Sequence, residues 1–184
     1  VFSPDGKMIA YVDTKNLGRA GGGLWVIPAS NGTPKLVVNA GHASSPIWSP
    51  DGDMIAFLDD QQICIVPIGE DGAASGEKIT LDVPEGTGGI MFSAGWTPDN
   101  KIGAIFRSHT EFGLYTLPAT GGTAALISHG GWPGQPRWSH DGKRIFHTNI
   151  KEEGSGDWEK AVLAVVPADG GKVTTIPIQF DEKM

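Results

Sequence analysis

A single cysteine, Cys64, stands in 184 residues, so no disulfide can tie the chain to itself. It lies in the apolar run Ile63–Val66 and reads as a small buried hydrophobe rather than a reactive thiol. No apolar run approaches the roughly 20 residues that a membrane-spanning helix needs, and no polybasic segment is present to hold the chain on a membrane surface. Positive charge is scarce: Lys and Arg number 14 against 21 Asp and Glu, for a net charge of −7. That balance argues against nucleic acid as a partner. No amphipathic helix is evident, no Gly-x-Ser-x-Gly elbow offers a nucleophile, and no His or Cys spacing marks a metal site. Gly21-Gly22-Gly23 precedes a strand, whereas a phosphate cradle needs a helix N-terminus. No catalytic constellation, cofactor or metal is therefore expected.

Glycine and proline, by contrast, are plentiful, at 27 and 13, and they fall between apolar runs at regular intervals, as turns do. Phe2-Ser3-Pro4-Asp5-Gly6, Trp48-Ser49-Pro50-Asp51-Gly52, Trp96-Thr97-Pro98-Asp99-Asn100 and Trp138-Ser139-His140-Asp141-Gly142 are four copies of one signal, with their hydroxyl residues 46, 48 and 42 positions apart. In phase with them run Leu24–Pro28, Ile63–Pro67, Leu114–Pro118 and Leu163–Pro167. Two motifs repeating in the same order at a period in the 40s mark a repeat architecture.

Each repeat parses as four short strands with turns between them. In the second, Ser45–Ser49 is extended, Pro50-Asp51-Gly52 turns, and Met54–Leu58, Ile63–Val66 and Glu77–Leu81 follow as strands. The strands are almost continuously apolar, as in sheets covered on both faces. The fold expected is all-β, a β-propeller of about four four-stranded antiparallel blades in a single domain over 1–184. The blades fall at about 1–39, 44–82, 90–128 and 135–178. Phe2, Trp48, Trp96 and Trp138 read as aromatics packed between neighbouring blades. Asp5, Asp51, Asp99 and Asp141 read as side chains that cap their own turns, one per blade and too far apart for paired-carboxylate chemistry.

In a propeller the loops from outer to next inner strand, and from second to third strand, share one face. Here that face collects Arg19, His42, Arg107, His109, His129, Trp132 and Trp158, with long loops at 13–22 and 149–160. Long loops on a rigid frame are where binding residues concentrate. A protein or carbohydrate partner is expected there.

The Trp-Ser-Pro-Asp-Gly turn followed by an Ile-Ala-Phe type strand, as in Trp48–Phe57 and Phe2–Tyr11, resembles the WD-repeat-like propeller repeats of the TolB-like family. The third and fourth copies depart from it, with Asn100 for Gly and His140 for Pro. The resemblance covers essentially the whole chain. It implies a bacterial, extracytoplasmic or periplasmic scaffold whose usual role is protein binding. Alternatives are the propeller part of a larger enzyme, such as a prolyl-oligopeptidase-type serine peptidase, or a metal-dependent lyase using loop histidines. It also implies rings of about six or more blades. The first blade here starts at its second strand, its inner strand lying upstream of Val1. The chain is then a fragment of a longer propeller, half of a ring of about eight blades closed by a homodimer, or four blades closing alone.

Overall fold

The computed structural model describes residues 1–13, 22–60, 62–90, 95–108, 112–129, 132–133, 136–150 and 161–177. They form four consecutive antiparallel sheets and no helix. The first sheet runs β1 (Met8–Asp13), β2 (Gly23–Pro28), β3 (Lys35–Asn39), and the second β4 (Ser44–Trp48), β5 (Met54–Asp59), β6 (Gln62–Pro67), β7 (Ile79–Thr80). The third holds β8 (Thr87–Ile90), β9 (Gly95–Trp96), β10 (Lys101–Ser108), β11 (Phe112–Pro118) and β12 (Ala125–His129). The fourth holds β13 (Trp132–Pro133), β14 (Arg137–Trp138), β15 (Arg144–Ile150), β16 (Ala161–Pro167) and β17 (Thr174–Pro177).

These are the blades of a partial β-propeller, although not each is four-stranded. In the first, the inner edge is a single bridge between Phe2 and Ile9. In the third and fourth, two described strands pair along it: β8 and β9 along β10, and β13 and β14 along β15. Thus β9 pairs with Ile102 and Gly103, and β8 with Phe106 and Ser108 across a register shift.

Successive residues of a strand point to opposite faces of its sheet, and the core follows that alternation blade by blade. In β5, Ile55 and Phe57 face the first sheet, sharing a cluster with Ala10, Leu24 and Val26, while Ala56 faces the third. In β10, Ile102, Ala104 and Phe106 face the second sheet and Ile105 faces the fourth. There are accordingly three core clusters among the described residues, each shared by two adjacent blades. This explains the uninterrupted apolar strands: both faces are buried, by different neighbours.

The aromatic before each turn sits in the seam with the preceding blade. Trp48 is buried in the first cluster; the Trp96 indole N–H donates to the Ile47 carbonyl at 3.1 Å; and Trp138 lies over Gly103. Phe2 differs. It is 64% exposed, because no sheet of the described residues lies on that side of the first blade for it to pack against.

Each turn is a cage around one hydroxyl. Ser3, Ser49, Thr97 and Ser139 accept the N–H that starts the next strand at 2.8–3.0 Å. Positive φ at Gly6, Gly52, Asn100 and Gly142 closes the cage, a backbone shape that Gly adopts freely and Asn tolerates. Ser3, Thr97 and Ser139 donate to Asp5, Asp99 and Asp141 at 2.6 Å. The second repeat differs: Ser49 donates to Asp53 instead, and Asp51 accepts from Asn100 of the next blade.

These cages carry a pH signature. The Ser3 hydroxyl, then the Lys7 amide and ammonium, hold Asp5 down to about 2. Lys101 and Thr97 lower Asp99, and Ser139 with the Lys143 amide lowers Asp141. A carboxylate with a folded pKa below its unfolded value adds stability above the unfolded value, and that contribution is lost as pH falls through the folded one. Melting temperature should therefore fall between about pH 4 and pH 2. In Asp5→Asn/Asp141→Asn the fall should be shallower; an unchanged slope would show that the cages do not carry it.

Candidate functional site

The two ends of the sheets differ in kind. One end carries the caged turns and the prolines Pro28, Pro67, Pro118 and Pro167, which end the third strands opposite Met8, Met54, Lys101 and Arg144. The other end carries the connections β1–β2, β3–β4, β5–β6, β10–β11, β12–β13 and β15–β16, together with the candidate binding residues.

Among those candidates, His42 lies exposed between β3 and β4, with Nδ1 3.8 Å from the Asp60 carboxylate at the β5–β6 turn. Asp60 holds a φ of 48°. Arg107 is exposed near the end of β10, opposite Phe112 of β11, and its guanidinium carbon lies 5.7 Å from the Phe112 ring centroid. That cation–π contact holds a flexible side chain against the sheet end. His129 ends β12 opposite Gly113, one strand away from the Arg107–Phe112 pair. Trp132 begins β13, paired with Ile150 on the fourth blade. The structure thus sets Arg107 against Phe112 on the third blade, places His129 on the neighbouring strand of that blade with its side chain toward the other face, and leaves His42 with Asp60 at the seam of the first two. Arg19, His109 and Trp158 lie outside the described residues.

Among the described residues, no group of three or more His, Cys, Asp or Glu side chains could hold a metal ion. Cys64 is buried, and burial pushes its thiol pKa up, away from nucleophilic use. His147 is buried in the core.

A second concavity was not legible in the motifs. Where the inner strands converge, a cavity of about 810 Å³ is lined by Val1, Ser45, Pro46, Trp96, Arg137 and His140, among others. Its signal in the sequence is faint: each later blade contributes the residue just before its repeating aromatic. The Arg137 guanidinium donates to the Pro136 carbonyl at 3.4 Å at this wall. Two smaller grooves run along the turn end, one over Pro4, Asp51 and Glu70, the other over Pro98, Asp141 and Asp169.

Solved structures share this fold. A protein assigned as TolB from Agrobacterium tumefaciens aligns over 95% of this chain and 62% of its own, at 22% identity and a TM-score of 0.67. An oligogalacturonate lyase in complex with manganese aligns over 95% and 50%, at 14% identity and a TM-score of 0.74. The β-propeller domain of the Trilobed protease from Pyrococcus furiosus aligns over 96% and 56%, at 20% identity and a TM-score of 0.67. No protein-family model matches the chain, and no curated protein matches it in sequence. The chain spans about half to three-fifths of these structures. At such identities the likeness shows the fold, that of TolB and other β-propellers, on which scaffold, lyase and peptidase parts are all built.

Proposed function

We propose that this chain is a propeller scaffold that binds a partner protein on the face carrying His42, Asp60, Arg107 and His129, in an extracytoplasmic compartment. One observation carries the reading. At this end of the sheets, exposed charged and imidazole side chains stand at strand ends or on the connections between strands, whereas the other end is closed by turns that spend their polar groups on themselves. The likeness to TolB supports both the role and the compartment.

The test is affinity capture with three versions of the chain: unaltered, His42→Ala/Arg107→Ala/His129→Ala, and the turn-end control Lys7→Ala/Lys143→Ala. A protein retained by the first and third and lost by the second supports the reading. A protein lost only with the turn-end control, or no retained protein at all, overturns it.

A second reading is favoured by the lyase neighbour, whose fold matches at a TM-score of 0.74. On that reading the face takes an acidic oligosaccharide, with Arg107 facing its carboxylates. Calorimetric titration with oligogalacturonate, with and without manganese, tests it; heat that persists in Arg107→Ala would remove it.

A further inference from the structure

The cavity at the inner strands differs in charge from the rest of the molecule. The chain carries 21 acidic against 14 basic side chains, yet among the described residues no Asp or Glu lines this space of about 810 Å³. The sequence repeats the exclusion: the runs 39–48, 87–96 and 129–138, each ending on one of the later repeating tryptophans, contain no Asp or Glu. Arg137 and His140, both exposed, are the basic side chains at the wall. An anion there meets no carboxylate to repel it, and it meets a guanidinium, whose fork of N–H donors matches a carboxylate.

One repeat position sets the character of the wall. The residue before each aromatic is Val1, Ile47, Gly95 and Arg137 on successive blades, and all four line the cavity. Neither backbone nor packing demands glycine at 95. Its φ lies outside the positive region, and a Cβ there would meet nothing within 4 Å. Its ladder partner Gly103 is the opposite case, since a Cβ at 103 would strike the Trp138 ring. The side chain missing at 95 therefore leaves space between the apolar Ile47 and the cationic Arg137.

The same cavity holds a strained backbone. Among the described residues, Ser45 is the one non-glycine residue with a positive φ, 52°, inside a strand, a region that L-residues avoid. It precedes Pro46, whose ring restricts it further. Ser44 pairs with Leu58 and Ile47 with Ala56, so one extra residue is inserted in β4, a bulge of the kind that re-aims a side chain. Ser45 and Pro46 both line the cavity, and strain of this sort gathers at ligand clamps.

We propose that the inner-strand cavity binds a small organic acid, a monocarboxylate with a flat apolar body. The carboxylate is taken by Arg137, with His140 as a second donor, and the body lies along Pro46 and Trp96 over the space at Gly95. The volume is that of a small-molecule site. The groups used stand on the second, third and fourth blades, and His42, Arg107 and His129 are not among the residues lining the cavity. This site is thus separate from the face proposed above for a protein partner.

Calorimetric titration of the 184-residue chain with 3-phenylpropionate tests the proposal. A dissociation constant below about 1 mM is expected, with 3-phenylpropionamide, the same body without the charge, at least about tenfold weaker. Arg137→Gln should weaken the acid by at least about tenfold and leave the amide unchanged. Gly95→Leu should abolish binding of both by occupying the space, with the β-sheet circular dichroism retained; if it does not fold, Arg137→Gln still decides. Lys7→Ala/Lys143→Ala, which removes charge at the turn end, should bind the acid as the unaltered chain does. No heat at up to about 10 mM acid, equal affinity for acid and amide, or undiminished affinity in Arg137→Gln overturns the proposal. So does a loss in Lys7→Ala/Lys143→Ala equal to that in Arg137→Gln, which would mean that overall charge, and not this site, holds the acid.

Discussion

Gly103→Ala is expected to lower the melting temperature by about 8 °C, equivalent to about 3 kcal/mol in a chain of this length. The sign is the informative part, because Gly to Ala within a strand ordinarily stabilises by about 0.5–1 kcal/mol. Here a Cβ would lie 1.7 Å from Cη2 of the Trp138 ring and 2.4 and 2.7 Å from Cζ2 and Cζ3. The indole must leave the seam between the third and fourth blades, and β10, paired on both sides, cannot retreat. Trp138→Leu removes the colliding ring, so the double variant should lie near the single Trp138→Leu rather than at the sum, a coupling of about 2 kcal/mol. Additive losses in thermal melts would show that Gly103 and Trp138 do not share this contact.

Phe106→Ala is expected to cost about 4 kcal/mol, or about 12 °C of melting temperature. Phe106 is 2% exposed, belongs to the cluster joining the second and third blades, and meets the Tyr115 ring edge-on with centroids 5.7 Å apart. Truncation removes a large apolar surface from a site walled by two sheets, which closes poorly around the space left behind. Phe106→Leu should retain most of the volume and lose about 1.5 kcal/mol. Leu126→Ala, on a side chain 49% exposed, should change stability by about 0.5 kcal/mol or less. Equal effects of Phe106→Ala and Leu126→Ala in denaturant titrations would contradict this placement of the core.

The two substitutions also show what could be read in the chain beforehand. The turns were legible because their chemistry is local: a hydroxyl, an acid two residues on and a glycine or asparagine form the cage within six positions. The strands were legible as apolar runs between those turns. Which neighbour each strand residue faces was not, since uniformly apolar strands hide the alternation that would reveal it. Gly103 reads as a weak point in a strand until Trp138, 35 positions later, is seen to occupy the space its missing side chain leaves. The choice of Asp53 over Asp51 by Ser49 depends on Asn100 engaging Asp51 from the next blade, a contact no local pattern encodes. Phe2 looks like the other aromatics in its motif; its exposure comes from what stands beside it. The candidate binding face was legible as one end of the sheets, through the topology of the repeat, while the cavity at the inner strands was not, because it is assembled from short inner segments of all four blades.

The pairwise sharing of the core has a consequence for how the molecule comes apart. Each cluster joins two adjacent sheets and none spans three, so cohesion passes along the row only from neighbour to neighbour. The second and third sheets are gripped twice, the first and fourth once. Fraying in this chain therefore starts at the ends and works inward, and the middle pair acts as its anchor, with the amides of β5 and β10 the last to trade their protons with solvent.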